Sequence, residues 1–347
     1  MSQYKPPYTV SSKIVSLVAE ICEVLGRMSA LESPQELRLR RINRIKTVHG
    51  SLAIEGNTLT EDQISAIIDG KKVVAPLREI QEVRNAVKVY DQFTEWKATN
   101  DDELLKAHEI LMSGLLDAPG QYRTKAVGIM GGGNDIIHMA PPAGRVLQLM
   151  NDLFSWLRRT DAHPLIASSV FHYELEFIHP FEDGNGRMGR LWQTLILAQW
   201  NPLFADIPVE SMIYTNQQEY YKALNQSTNQ ADCAPFIEFI LENIMSAIKS
   251  DQVSDQVSDQ VSDQVSDQVS DQVKSLVGAF AKAGNKEQAA LELMDTLKLS
   301  HRPTFRKNYL HPALESGIIE MTVPDKPRTK NQKYRMTAKG RMMRDKQ

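Results

Sequence analysis

"FIHPFEDGNGRMGRLW", residues 177–192, decides the reading of this chain. Apolar residues flank one histidine (His179), two acids (Glu182, Asp183), an asparagine (Asn185), three glycines (Gly184, Gly186, Gly189) and two arginines (Arg187, Arg190). Pro180 interrupts the preceding apolar helix, and Gly184-Asn185-Gly186 lets the backbone turn tightly before the next helix begins near Asn185. A glycine-rich turn at a helix N-terminus aims several free N–H groups at one point, which suits a phosphate. Arg187 and Arg190 leave the same side of the first helical turn and can reach outer phosphates. Asp183, just before the turn, is placed to hold a Mg²⁺ bridging phosphate oxygens, and His179 is suited to accept a proton near neutral pH. His-Pro or Asp-Gly-Asn-Gly alone is ordinary loop chemistry; a base, an acid, an anion turn and paired arginines in this order are what a nucleotide site requires.

The surroundings are helical. Ser11–Leu31 carries Ile14, Leu17, Val18, Ile21, Val24 and Leu25 at helical spacing, and after Pro34 a second run sets Ile42, Ile45, Val48 and Leu52 on one side. Further helices are predicted over residues 80–97, 102–116, 144–159, 164–177 and 186–200. "TKAVGIMGGGNDIIHMAPP", residues 124–142, differs: two short apolar runs flank a Gly-Gly-Gly-Asn turn, which signals a hairpin. The fold class is therefore mainly α, a helical bundle with one β-hairpin.

One segment breaks the texture, "SDQV" written six times over residues 250–273. A four-residue period drifts by about 40° per repeat on an α-helix, so the valines build no single face. The repeat reads as a solvated spacer between domains. The domain reading is an N-terminal helical region over 1–100, a core over 101–249, the spacer, and a small domain over 274–347. The last has a short helix, a turn at Ser300, a helix from Pro303 to Glu315 and two strands around a Pro/Lys-rich loop, an order that resembles a winged helix. From His301 on it holds 12 Lys or Arg against 4 Asp or Glu, so contact with a DNA phosphate backbone is one expectation and protein docking the other.

Composition narrows the class. With 347 residues, 42% hydrophobic content and a formal charge of -3, the chain reads as soluble and globular, with one large core and a smaller domain. Cys22 and Cys233 fit neither a metal-ligand spacing nor a disulfide framework, as suits a reducing cytoplasm. "MSQYKPPYTV" lacks the pattern of a secretory leader, and no stretch approaches about 18 uninterrupted apolar residues, so no membrane partner is expected.

His179-Pro180-Phe181-Glu182-Asp183-Gly184-Asn185-Gly186-Arg187-Met188-Gly189-Arg190 resembles the Fic motif, HPFxxGNGRxxR, of the Fic-domain nucleotidyltransferases, over a core of residues 40–245. The resemblance implies transfer of AMP from ATP to a Ser, Thr or Tyr hydroxyl of a protein, with Mg²⁺ and release of pyrophosphate. His179 would be the base and Asp183 the metal ligand. Asn185 with the N–H groups of Gly184 and Gly186 would hold the α-phosphate, Arg187 would contact the β-phosphate region and Arg190 the γ-phosphate. Phe181 would be a core anchor and Glu182 solvated. The hairpin with Ile136, Ile137, His138 and Met139 resembles the family's flap, which docks the target backbone as an added strand; its Gly131-Gly132-Gly133 tip is mobile by composition. "EYYKALN" followed by "TNQAD" resembles the adenosine pocket, with Tyr220, Tyr221 and Asn229, or Asn225 or Thr228 in place of the last. Implied partners are a protein bearing a hydroxyl, the chain itself among them, and a second copy in a homodimer.

"SLAIEGN", residues 51–57, ends a helix at Gly56, which puts Glu55 in the last turn, where the helix dipole disfavours a carboxylate by ~0.3–1 kcal/mol. The stretch resembles the inhibitory motif (S/T)xxxE(G/N) of Fic proteins, begun here by Ser51, whose glutamate pairs with the second motif arginine, here Arg190. The pairing implies an enzyme held inactive within its own chain by a helix near 45–56. Two other readings use the same site: removal of AMP, with Glu55 positioning water, or transfer of another group such as UMP or phosphocholine; and a DNA-binding regulator whose core senses nucleotide.

Overall fold

Helical periodicity before the repeat is satisfied by burying one face of each helix in a shared core. The computed structural model describes residues 4–29, 36–130, 136–267, 271–282, 286–299, 301–322, 332–337 and 340–341. Two compact units result, residues 1–253 and 254–347. In the first, α1 (Ser12–Ser29) buries Ile14, Ile21 and Leu25, and α2 (Glu36–Ile54) buries Val48 and Leu52. α3 (Glu61–Ile68) opens on a capping box in which Thr60 and Gln63 satisfy each other's backbone N–H groups. α4 (Leu77–Gln92) and α5 (Asp101–Leu111) follow, the latter capped by the Asn100 side chain, with Asp101, Asp102 and Glu103 at its positive end.

The hairpin comes next. β1 (Gly128–Met130) pairs antiparallel with β2 (Ile136–Met139), Gly128 opposite Met139 and Ile129 opposite His138, with an irregularity between Ile129 and Met130. The expected Gly131-Gly132-Gly133 tip lies outside the described residues. α6 (Ala143–Leu157) leads to the centre of the unit, α7 (Pro164–Ile178) and α8 (Asn185–Trp200). Leu165, Val170, Phe171 and Leu175 of α7 and Met188, Leu191, Trp192 and Leu195 of α8 are buried. Each such side chain contributes roughly 1.5–3 kcal/mol on burial, so the turn joining the two helices is held by a packed core. α9 (Val209–Thr215), α10 (Gln217–Gln230) and α11 (Ala234–Asp267) complete the unit, α11 running on into the SDQV repeat. The N-terminal helices share this one core with α7 and α8.

The second unit has its own core, built on Leu276, Phe280, Leu293, Phe305, Leu310 and Ile319. Its elements are α12 (Asp271–Lys282), β3 (Gln288–Ala289), α13 (Ala290–Thr296), α14 (Arg302–Phe305), α15 (His311–Glu315), β4 (Ile319–Met321) and β5 (Lys333–Met336). The strands form one antiparallel sheet in the order β3-β5-β4. A π-turn over Arg306–Leu310 divides the helix read from Pro303 to Glu315, and α12 and β3 add to the sequence reading. Among the described residues no helix is long and apolar enough to cross a membrane, and Cys22 and Cys233 are free thiols.

Candidate active site

The turn between α7 and α8 is shaped by side chains that grip its backbone. Asn185, 2% exposed, spends its whole amide on Phe181, accepting from the Phe181 N–H at 2.8 Å and donating to its carbonyl at 2.9 Å. Its amide therefore fixes the turn. Gly184 sits at φ +87°, which a Cβ would oppose. The buried Phe181 ring stacks on His108 at 3.7 Å between centroids. His108 Nδ1 accepts the Gly120 N–H at 2.9 Å, which puts the proton on Nε2, 3.0 Å from the Asp183 carbonyl. Burial pushes His108 down to about 4, so this clamp stays neutral.

His179 caps α7 in the left-handed region, φ 51° and ψ 61°. Burial, seconded by Arg123, pushes its imidazole down to about 4, against the opposing pull of the Glu176 carbonyl, Glu55 and Asp183. A neutral imidazole at pH 7 can accept a proton.

The two arginines of α8 meet different partners. Arg187 donates to Asp183 Oδ1 at 3.0 Å, with Glu82 Oε1 at 3.9 Å, and Arg78 reaches the other Asp183 oxygen at 3.3 Å. Arg190, 1% exposed, donates to Glu55 Oε1 at 2.7 Å and to the Ser51 carbonyl at 3.0 Å. Burial alone would lower the Arg190 pKa; the Glu55 charge beside it raises it instead. Its Nε and Nη1 are buried and find no hydrogen-bond partner among the described residues, as is true of Nε of Arg187. Glu55 is held by the end of α2: Gly56 turns at φ +90°, Asn57 N–H closes onto the Leu52 carbonyl at 3.2 Å, and Gln217 donates to the Ile54 carbonyl at 2.7 Å. A Cβ at Gly186 would collide with Glu55 Oε1 and stand 3.1 Å from Arg190 Nη1. The absence of a side chain at residue 186 thus leaves room for the Glu55 carboxylate in the position it takes here.

Tyr220 is buried, its hydroxyl 3.2 Å from both Glu176 Oε1 and His172 Nε2. Tyr221 is half-buried, Asn229 is exposed and Asn225 half-buried, while Thr228 meets the Tyr173 hydroxyl at 3.1 Å. Of the tyrosine pair, Tyr221 and not Tyr220 is open to a ligand. Ile136, Ile137, His138 and Met139 form β2, and their side chains lie outside the described residues. Glu182 is exposed.

Four residues here escaped the sequence reading. His108 and Arg123 grip the turn, Glu82 links Arg187 to Asn57 (Nδ2 to Oε2 2.9 Å), and burial raises the Glu176 carboxyl to about 7. None sits in a local pattern; only Asn57, adjoining the inhibitory motif, offered a signal.

A neutral imidazole beside a helix N-terminus with two arginines stands at the centre of a helical scaffold. Comparison with known proteins names the class. Residues 98–197 match the model of the Fic/DOC family, and residues 271–337 match that of the Filamentation induced by cAMP protein Fic-like, C-terminal domain. The crystal structure of a Fic family protein from Desulfovibrio desulfuricans is 51% identical, with a TM-score of 0.72 over 97% of this chain and 99% of that one. This chain belongs to the Fic family. It is 31% identical over 207 residues to the protein adenylyltransferase Fic of Nematostella vectensis, covering 56% of this chain and 45% of that protein. For the Aedes aegypti protein of the same name the identity is 28% over 225 residues, 60% of this chain and 42% of the other. The chain thus spans less than half the length of these curated relatives. Fic-1 of C. elegans (residues 134–508), 22% identical with a TM-score of 0.59 over 71% of this chain and 73% of that one, shares the fold.

Proposed function

We propose that the chain is a protein adenylyltransferase, moving AMP from ATP to a Ser, Thr or Tyr hydroxyl of a protein, and that Glu55 restrains it. The observation that carries this reading is the 2.7 Å contact of Glu55 with the buried Arg190 inside a complete Fic motif. His179, neutral at pH 7, takes the proton of the target hydroxyl as its oxygen bonds to the α-phosphorus. The bond from that phosphorus to the bridging oxygen breaks, and pyrophosphate leaves with the electron pair. Backbone N–H groups at the start of α8 face the charge growing on the α-phosphate, and Arg187 and Arg190 face the departing phosphates. The hairpin docks the target as an added strand.

Asp183 suits the Mg²⁺ that this chemistry uses. Its carboxylate is 41% exposed and gathers Gly184 N–H, Arg187 and Arg78, as an anion at the rim of the site would. Among the described residues no three ligating side chains stand together, so a cation on Asp183 would complete its shell with substrate phosphates and water. When bound, Mg²⁺ neutralises phosphate charge. The C-terminal unit we read as a basic winged helix that contacts a nucleic-acid backbone, supported by its excess of Lys and Arg and its helix-strand order, and the free thiols fit a cytoplasmic setting. Intact-protein mass spectrometry after incubation of Glu55→Gly protein with ATP and Mg²⁺ tests the activity: the expected product carries the mass of AMP less water, and a product bearing a phosphoryl group alone contradicts the reading.

A further inference from the structure

Arg123 lies between α5 and the hairpin, 6% exposed, and each contact it makes is to a carbonyl oxygen. Its backbone N–H donates to Pro180 at 2.9 Å. Its Nε donates to His179 at 2.7 Å and its Nη2 to Ile178 at 3.3 Å, so this one residue satisfies three consecutive carbonyls where α7 ends. The same guanidinium reaches both feet of the hairpin, Lys125 through Nη1 at 2.8 Å and Pro141 through Nη2 at 2.6 Å. Burial lowers the Arg123 pKa, and among the described residues no carboxylate offsets it; the negative end of α7 stands in for a counter-ion. Holding the position matters because His179 is a non-glycine residue in the left-handed region, a backbone state that persists only where its surroundings over-determine it.

We propose that Arg123 is a positioning residue that locks the base and the target-docking hairpin into one frame, so that a hydroxyl presented along the hairpin arrives at His179. The proposal rests on the adenylyltransferase reading for its catalytic consequence, and on geometry alone for the lock. A second effect follows from charge. Facing His179 are Glu176 of α7 (Oε2 at 4.0 Å), Glu55 at the end of α2, Asp183 of the turn, and Arg123, the one cation among these. Removing that cation should let the imidazole titrate higher.

The test compares Arg123→Lys and Arg123→Met, each in the Glu55→Gly background, with folding checked by thermal melting. A displacement of about 1 Å costs on the order of 100-fold in rate, so both variants are expected to lose transfer to a protein target by about that factor, through a raised KM for the target and a lowered kcat, with ATP affinity unchanged. Hydrogen exchange at the amides of 128–130 and 136–139 should quicken in both. Imidazole NMR should show His179 titrating higher in Arg123→Met and close to the parent in Arg123→Lys, which keeps the charge but cannot fork to four carbonyls. Well-folded variants with parental transfer, exchange and titration would overturn the proposal. So would loss of folding in both, which would make Arg123 a structural residue only. If the Glu55→Gly parent transfers no AMP, the activity reading fails, while exchange and titration still decide the role of Arg123.

Discussion

Glu55 and Asp183 reach the two arginines of α8 from different elements. Asp183 belongs to the same turn as Arg187, one helical turn away, is 41% exposed and shares its oxygens with Arg78. Glu55 arrives from the end of α2 and grips a guanidinium that is 1% exposed. In both pairs a buried guanidinium, Arg187 at 5% and Arg190 at 1%, meets a part-exposed carboxylate, so exposure does not separate them. Each falls short of the ~3–5 kcal/mol lost on breaking a fully buried pair, because Asp183 is 41% and Glu55 36% exposed. What separates them is origin: Asp183 lies on the same turn as Arg187 whereas Glu55 comes from the end of another helix, and under the proposed function the first takes the cation while the second competes with substrate for Arg190.

The strongest way to sharpen that contrast is to remove His179, the base of the proposed reaction. His179→Ala in the Glu55→Gly background should lower AMP transfer by on the order of 10²–10⁴-fold, while ATP still binds, measured by calorimetry. Undiminished labelling would remove His179 from the chemistry.

The pH dependence follows from the same surroundings. With His179 pushed down to about 4, kcat/KM should show no loss from imidazole protonation between pH 8 and 6, where an unperturbed histidine of pKa ≈ 6.5 would already lose most of its activity. An acid limb near 6.5 would mean that the base is not buried as described.

Stability supplies a smaller effect. Burial raises Glu176 to about 7 from 4.5. The folded state then holds a proton that the unfolded chain has released, and stability falls as pH rises between about 4.5 and 7. Glu176→Gln should remove that decline, so the melting temperatures of parent and variant should diverge as pH rises through this window and run parallel above it. Smallest is the effect expected of the C-terminal unit: weak DNA retardation that fades steeply with salt and is lost on deletion of residues 274–347. No retardation at low salt would leave that unit a protein-docking role.

How much of this was legible beforehand depends on how local each signal is. The phosphate turn and the "SLAIEGN" end are contiguous patterns, and they name Arg190 and Glu55 without any knowledge of how α2 packs. α3 went unread although Thr60 and Gln63 form a cap and Ile64, Ile67 and Ile68 keep helical spacing, because eight residues give too short a run to stand out. Arg123 was beyond reach, since its partners are backbone carbonyls from residue 125 to 180 and a carbonyl has no sequence identity. Tyr220 and Tyr221 could not be told apart either: neighbours on a helix point about 100° apart, and only the packing of Tyr220 against Phe236 and His172 shows which one faces inward.

In the proposed function Glu55 holds Arg190 away from the γ-phosphate, and AMP self-labelling of wild type beside Glu55→Gly at saturating ATP and Mg²⁺ tests this. Freeing the guanidinium lets the triphosphate settle, and since a misplacement of about 1 Å costs on the order of 100-fold, labelling should rise by at least about tenfold. Equal labelling of the two proteins would contradict the account and reduce "SLAIEGN" to the end of a helix.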